Sequence, residues 1–322
     1  MRDTVRCLRA IAAAAPDVGL VTYGASGASL EIAPLDADPP RLEAAAPIEG
    51  DALAPRIVPG DIVAGFAAFL DGIQTSKPAG YVHAGVPLVH GTVAAVIRVR
   101  AARALSTWQG APIVERKIYA PIGLIGAELV DHLQAAGLTL VDTLDGVAAP
   151  EPRHPQELLA LARTAVQRAR EQAELALAEA WCTSEQRPLY VDGGISGSGS
   201  AAKSAFAVGI VKSHKTLYAS GGTISVVTSL PMRARSTAFE IRSPRRTTVA
   251  SWYLRLRDPA GRDPLFGLVR VEIARAEFTV AYADLVSRWI LAERAPLALP
   301  DKRWSTMAYG IRDCEEYLRA IA

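Results

Sequence analysis

Apolar positions along the chain follow two periods. Uninterrupted apolar runs, DIVAGFAAFLD at 61–71, VPLVHGTVAAVIRVR at 86–100, PLYVDGG at 188–194 and AFAVGIVKS at 205–213, suit strands buried on both faces. TVASWYLRLR at 248–257 and FGLVRVEIAR at 266–275 extend the β-rich series. From Pro155 to about Cys182, leucine and alanine recur at helical spacing behind a proline suited to a first turn, which predicts one long helix. The stretch from Thr279 to Ala322 reads as mostly helical, interrupted around Pro296–Pro300. Residues 1–19 predict a short amphipathic helix ended by Pro16, and 34–60, with six prolines, an extended arm. Residues 113–149 carry a weaker pattern, with a helix at 124–136 and an apolar stretch at 138–146. The expected division is an arm at 1–60 and an α/β domain at 61–322, with an insertion around 100–150.

With 322 residues, half of them hydrophobic, the chain can bury a large core. A net charge of +2 from 35 basic and 33 acidic residues makes any nucleic-acid surface a local patch. Cys7, Cys182 and Cys314 are too dispersed for a zinc site or a disulfide framework, which fits a reducing cytoplasm. No window reaches the ~18 apolar residues of a membrane span, and the alanine run at 12–15 is too short for a secretory signal. A cytoplasmic protein without membrane contact is expected.

Two apolar runs end in Asp-Gly, at Asp71 and Asp192. Asp-Gly is a common turn after a strand, but a carboxylate at a buried strand end also needs compensation, and a divalent cation supplies it. Mg2+ and Mn2+ prefer carboxylate oxygens. The long helix between the two offers Glu171, Glu174 and Glu179. At ~100° per residue, Leu158, Ala162, Ala165, Val166, Ala169, Ala173, Ala176 and Ala180 share one stripe. Glu171 points away from it, Glu174 lies on one flank and Glu179 on the other, so Glu174 is the first choice and Glu171 the reserve.

In this order, FLDGIQTS, REQAE, YVDGGIS and VGIVKS resemble the NurA nucleases, and WYLRLR, LVRVEIA and LPDKRWSTMAYGIRDCEEYLRA share the family look, over roughly residues 60–320. The resemblance implies an RNase H-like mixed sheet flanked by helices, with Asp71, Glu174 and Asp192 holding Mn2+ or Mg2+ and Lys212 contacting phosphate. It implies a DNA nuclease that works as a homodimer with a HerA-like hexameric ATPase, in end processing or antiviral defence. The family closes its site with a histidine after a tyrosine-proline; here Gly310 follows Tyr309, and no histidine occurs beyond His214. Asp313 or Glu316 is the carboxylate expected to substitute.

DNA requires a basic track, and Arg233, Arg235, Arg242, Arg245, Arg246, Arg255 and Arg257 supply one against Glu240 alone within 233–257. Trp252 and Tyr253 could stack on a base, although packing is their commoner use. GSGSAAKS at 197–204 mimics a phosphate loop but has Ala202 where the decisive glycine belongs, and a strand follows where a helix is required. A DNA-binding or scaffolding subunit with a decayed site is the competing expectation.

Overall fold

The computed structural model describes residues 2–22, 39–83, 85–102, 104–145, 153–244, 246–294 and 303–322. Arg245, the start of the arm at 34–38 and the interruption at Pro296–Pro300 lie outside them. Nine principal strands form the body of one mixed sheet: β1 (Ala68–Val82), β2 (Val86–Ala101), β3 (Ile113–Ala120), β4 (Leu140–Asp142), β5 (Leu189–Asp192), β6 (Ala207–Val211), β7 (Phe239–Ser243), β8 (Arg246–Arg255) and β9 (Leu268–Ala274). Their order is β7-β8-β9-β6-β5-β1-β2-β3-β4. β1, β2 and β3 are an antiparallel meander, β5 runs parallel to β1, and β6 runs parallel to β5. β9, β8 and β7 then continue the sheet in antiparallel fashion.

Five longer helices accompany the sheet: α1 (Arg2–Ala14), α2 (Ala127–Ala135), α3 (Pro155–Ser184), α4 (Val280–Ala292) and α5 (Tyr309–Ile321). α3 lies on one face, where Ala162, Val166, Leu177 and Trp181 pack on Leu70, Val93 and Val191. α4 and α5 cover the other, with Val286, Ile290, Ile311 and Leu318 against Phe69, Tyr190, Val208 and Trp252. Burial on both sides explains why the central strands read as continuous apolar runs. α1 and α2 close a smaller cluster over the distal end of the β1–β2 hairpin.

Several expectations shift. The first apolar run does not become a strand ending at Asp71; residues 61–67 are irregular, β1 begins at Ala68, and it passes through Asp71-Gly72 to Val82. The Gly/Pro-rich segment after it is strand too, with a register shift between Pro78 and Gly80. Within 100–150, β3 was not foreseen, because IVERKIYA interleaves charges with its apolar residues; it pairs along β2. The arm contributes edge strands, Ala46–Pro47 on β7 and Pro55–Ile57 on Ala234–Ser236. Edges suit proline, which has no N–H to give a central ladder. No helix among the described residues is long and apolar enough to cross a membrane.

Candidate active site

Register brings the two aspartates together. Leu189, Tyr190 and Val191 of β5 pair with Ala68, Phe69 and Leu70 of β1, so the next rung sets Asp192 beside Asp71 at the carboxyl end of β5. Strand alternation puts both aspartates on the pleats of Phe69 and Tyr190, toward α5. Beyond this rung β5 stops while β1 continues with β2, and Leu20–Val21 pairs with β1 only at Tyr81–Val82.

Glu174 arrives from the opposite face. The buried side of α3 includes Leu159, Leu177 and Trp181, whereas Ala176 and Ala180 are exposed. The large side chains thus turn the inner face toward Glu174 relative to the alanine stripe, and Glu174 is only 13% exposed. Glu171 stays on the surface, while Glu179 accepts a hydrogen bond from Ser198 Oγ at 2.8 Å. Glu174 rests over Gly72: a Cβ there would stand 2.5 Å from Glu174 Oε1. The glycine of the first Asp-Gly therefore serves close approach of a helix side chain, and the backbone makes no turn at it.

The electrostatics bind the three acids into one unit. Burial raises Asp71 well above the usual carboxylate range, repulsion from Asp192 adds to this, Lys212 opposes it, and Glu174 adds further repulsion. Burial likewise lifts Glu174 to about 7 against the pull of Arg170, with Asp192 and Glu171 contributing repulsion. Lys212 Nζ donates to Asp192 Oδ2 at 2.7 Å, Arg170 pairs with Glu174 and donates to Gln74 Oε1 at 3.0 Å, and Asp71 Oδ1 accepts from Gly72 N at 2.8 Å. Among the described residues, no three histidine, cysteine or acidic side chains form a ready metal-holding group. The reason is visible: the acids approach from both faces, and two of them are turned onto cations. Their chemistry nonetheless suits a hard divalent ion, because buried, mutually repelling carboxylates gain most from one.

Glu174 and Asp192 border a cleft of about 250 Å³, together with Arg170, Arg246 and the Gly193–Ile195 backbone. Glu272 of β9 shapes its wall. The carboxylate is almost fully buried and accepts from Ile195 N at 2.9 Å, Ser196 N at 3.3 Å and Arg270 Nη1 at 2.6 Å. Sequence reading missed both Arg170 and Glu272. A helical Arg-x-x-x-Glu pair was available as a signal for the first, but VEIA on a strand announced nothing.

Of the other expected site residues, Asp313 of α5 accepts from Arg98 Nε at 2.6 Å, and the exposed Glu316 accepts from Arg312 at 2.7 Å. The basic track is broken. Arg235 is fully buried between Glu49 and Asp284, and Arg255 is fully buried among main-chain carbonyls, including those of Leu230, Thr228 and Phe266. Neither can touch DNA. Arg257 is half-buried with its guanidinium over the Trp304 ring, whereas Arg233, Arg242 and Arg246 are exposed. Trp252 and Tyr253 are core residues with no exposed ring for a base. GSGSAAKS folds as turns and a single 3-10 turn (Ala201–Lys203) before β6, so no helix receives a phosphate there.

These features define a mixed α/β protein with a large mixed sheet flanked by helices, a meander continued by parallel strands, with carboxylates at the carboxyl end of a central strand. The protein is similar in fold to the NurA nuclease from Sulfolobus solfataricus, with 10% identity, a TM-score of 0.47, and coverage of 85% of this chain and 81% of that one. An overlap this loose transfers no residue role. No family model matches the chain, and no curated protein matches it.

Proposed function

We propose that the chain is a divalent-metal-dependent deoxyribonuclease. The observation that carries this reading is the adjacency of Asp71 and Asp192 on paired strands with Glu174 packed over Gly72 from the other face, Asp192 and Glu174 bordering a cleft, and burial and repulsion raising Asp71 and Glu174. Asp71, Asp192 and Glu174 would hold Mn2+ or Mg2+, and such ions, when bound, lower the pKa of an attacking water and stabilise charge on the leaving oxygen. Lys212 and Arg170 are the cations that keep Asp192 and Glu174 in place. Lys212 stands at the end of β6 within reach of the same rung, where it can meet a phosphate once Asp192 is otherwise neutralised. Glu272 keeps the loop after Asp192 in one conformation. On this reading, a HerA-like ATPase would deliver DNA to a homodimer, in end processing or in defence.

The test is a Mn2+ titration of linear-DNA degradation by the purified protein, with and without such an ATPase, alongside Asp192→Asn. Metal-dependent cleavage by the wild type and a loss of at least ~100-fold in the variant are expected. Absence of cleavage under every metal, with DNA still bound, would favour a scaffolding subunit. Two observations support that second reading: the ion pairs on Asp192 and Glu174, and the engagement of Asp313 by Arg98.

A further inference from the structure

Arg246 opens β8 and borders the cleft with Glu174 and Asp192. Its position is set by the backbone: Thr247 N donates to Ser196 O at 3.0 Å, joining the start of β8 to the loop after Asp192. That loop is itself pinned by the buried Glu272 through the Ile195 and Ser196 amides. Arg246 Nη1 donates to Ser196 Oγ at 3.5 Å, which holds the guanidinium beside the loop after Asp192. The other cleft guanidinium, Arg170, is committed to Glu174 and Gln74. Among the described residues, Arg246 forms no ion pair, although Glu171, Glu174 and Asp192 border the same cleft.

An acid-walled cleft repels a polyanion, and an uncommitted guanidinium at its border offsets that repulsion where a phosphate must enter. The volume, about 250 Å³, is below the ~300–1,000 Å³ of pockets that enclose drug-sized ligands, and suits a single nucleotide unit. We propose that Arg246 forms a phosphate subsite that seats the DNA backbone phosphate adjacent to the one cleaved. Guanidinium is the group for this task because it presents a planar fork to phosphate oxygens. The proposal rests on the reading of DNA as substrate. It separates one local contact from the seven arginines of the expected track, of which Arg235 and Arg255 are buried.

The experiment measures binding of a fluorescein-labelled deoxyoligonucleotide in EDTA by anisotropy across a NaCl series. Wild type, Arg246→Gln, Arg246→Lys and the remote surface variant Arg6→Gln are compared. For Arg246→Gln, binding about tenfold weaker and a salt slope smaller by about one are expected. Lysine should keep the slope, and Arg6→Gln should match the wild type. With Mn2+, Arg246→Gln should raise KM for DNA about tenfold and leave kcat within about threefold. An unchanged slope in Arg246→Gln, an equal loss in Arg6→Gln, or no DNA binding by the wild type overturns the subsite. If the slope depends on Arg246 but no metal supports cleavage, the nuclease reading fails and the subsite stands. Cleavage with an unchanged slope is the reverse case.

Discussion

Gly72 shows how much depends on one missing side chain. A methyl group there meets Glu174 Oε1 at 2.5 Å and Ala94 O at 3.1 Å, so Gly72→Ala must push Glu174 out of place. Because the carboxylate is the end of a flexible chain, the fold should survive; a melting temperature near wild type with cleavage reduced at least tenfold is expected. Glu174 also links the site to pH. Its folded value is about 7 against 4.5 in the free residue, so the folded state holds the proton more tightly. The stabilisation is complete below about 4.5 and is lost as pH rises through 7. In EDTA, Glu174→Gln should therefore be more stable than wild type at pH 8, by up to ~3 kcal/mol, and the gap should close near pH 4. Thermal denaturation at both values checks this; a variant less stable at pH 8 would contradict it. Asp71, raised by the same burial, adds in the same direction.

At the scale of elements, α5 shows how one small residue sets a crossing. Gly310 lies where α5 crosses β1, and a Cβ there would come within 2.3 Å of the Phe69 ring. Phe69 is fully buried beside Tyr190 and Phe66, so the ring cannot yield. Gly310→Ala should destabilise the protein by at least ~1–3 kcal/mol through overpacking. Gly199→Ala, with open space around its Cβ position, should leave the melting temperature unchanged. Of the three elements that carry the acids, two were legible with their bounds from their residues: the 155–184 helix from its alanine and leucine spacing, and β5 from PLYVD. The inner face of the helix was legible only in part, because Leu177 and Trp181, on the flank of the alanine stripe, decide which side is pressed to the sheet.

Across the whole molecule, one buried cation adds to the strand pairings that hold the 39–60 segment on the sheet. Arg235 donates to both oxygens of Glu49 in the arm at 2.7 and 3.0 Å, and to Asp284 of α4 at 2.6 Å. Removing one partner of a buried pair leaves charge without compensation, typically at a cost of about 3–5 kcal/mol. Glu49→Ala should lower stability by that order, measured by chemical denaturation, whereas Glu43→Ala on the exposed part of the arm should have little effect. From the sequence, Arg235 was one of seven basic residues in a track and Glu49 an unremarked acid in a proline-rich segment.

The residues alone determined which apolar runs could be strands and where the long helix lay, and that Asp71 and Asp192 stood at the ends of such runs, because periodicity and the cost of burying charge are properties of the chain itself. They also carried the resemblance whose mixed sheet the fold displays. Register, handedness of approach and pairing were decided only in three dimensions. Strand pairing made Asp71 and Asp192 neighbours, and packing brought Glu174 over Gly72. The same folding hid Arg235 and Arg255 and left Arg246 at the cleft. An arginine in a sequence has a fixed charge but no fixed partner; folding chooses whether that charge meets a carboxylate, a carbonyl or an incoming phosphate.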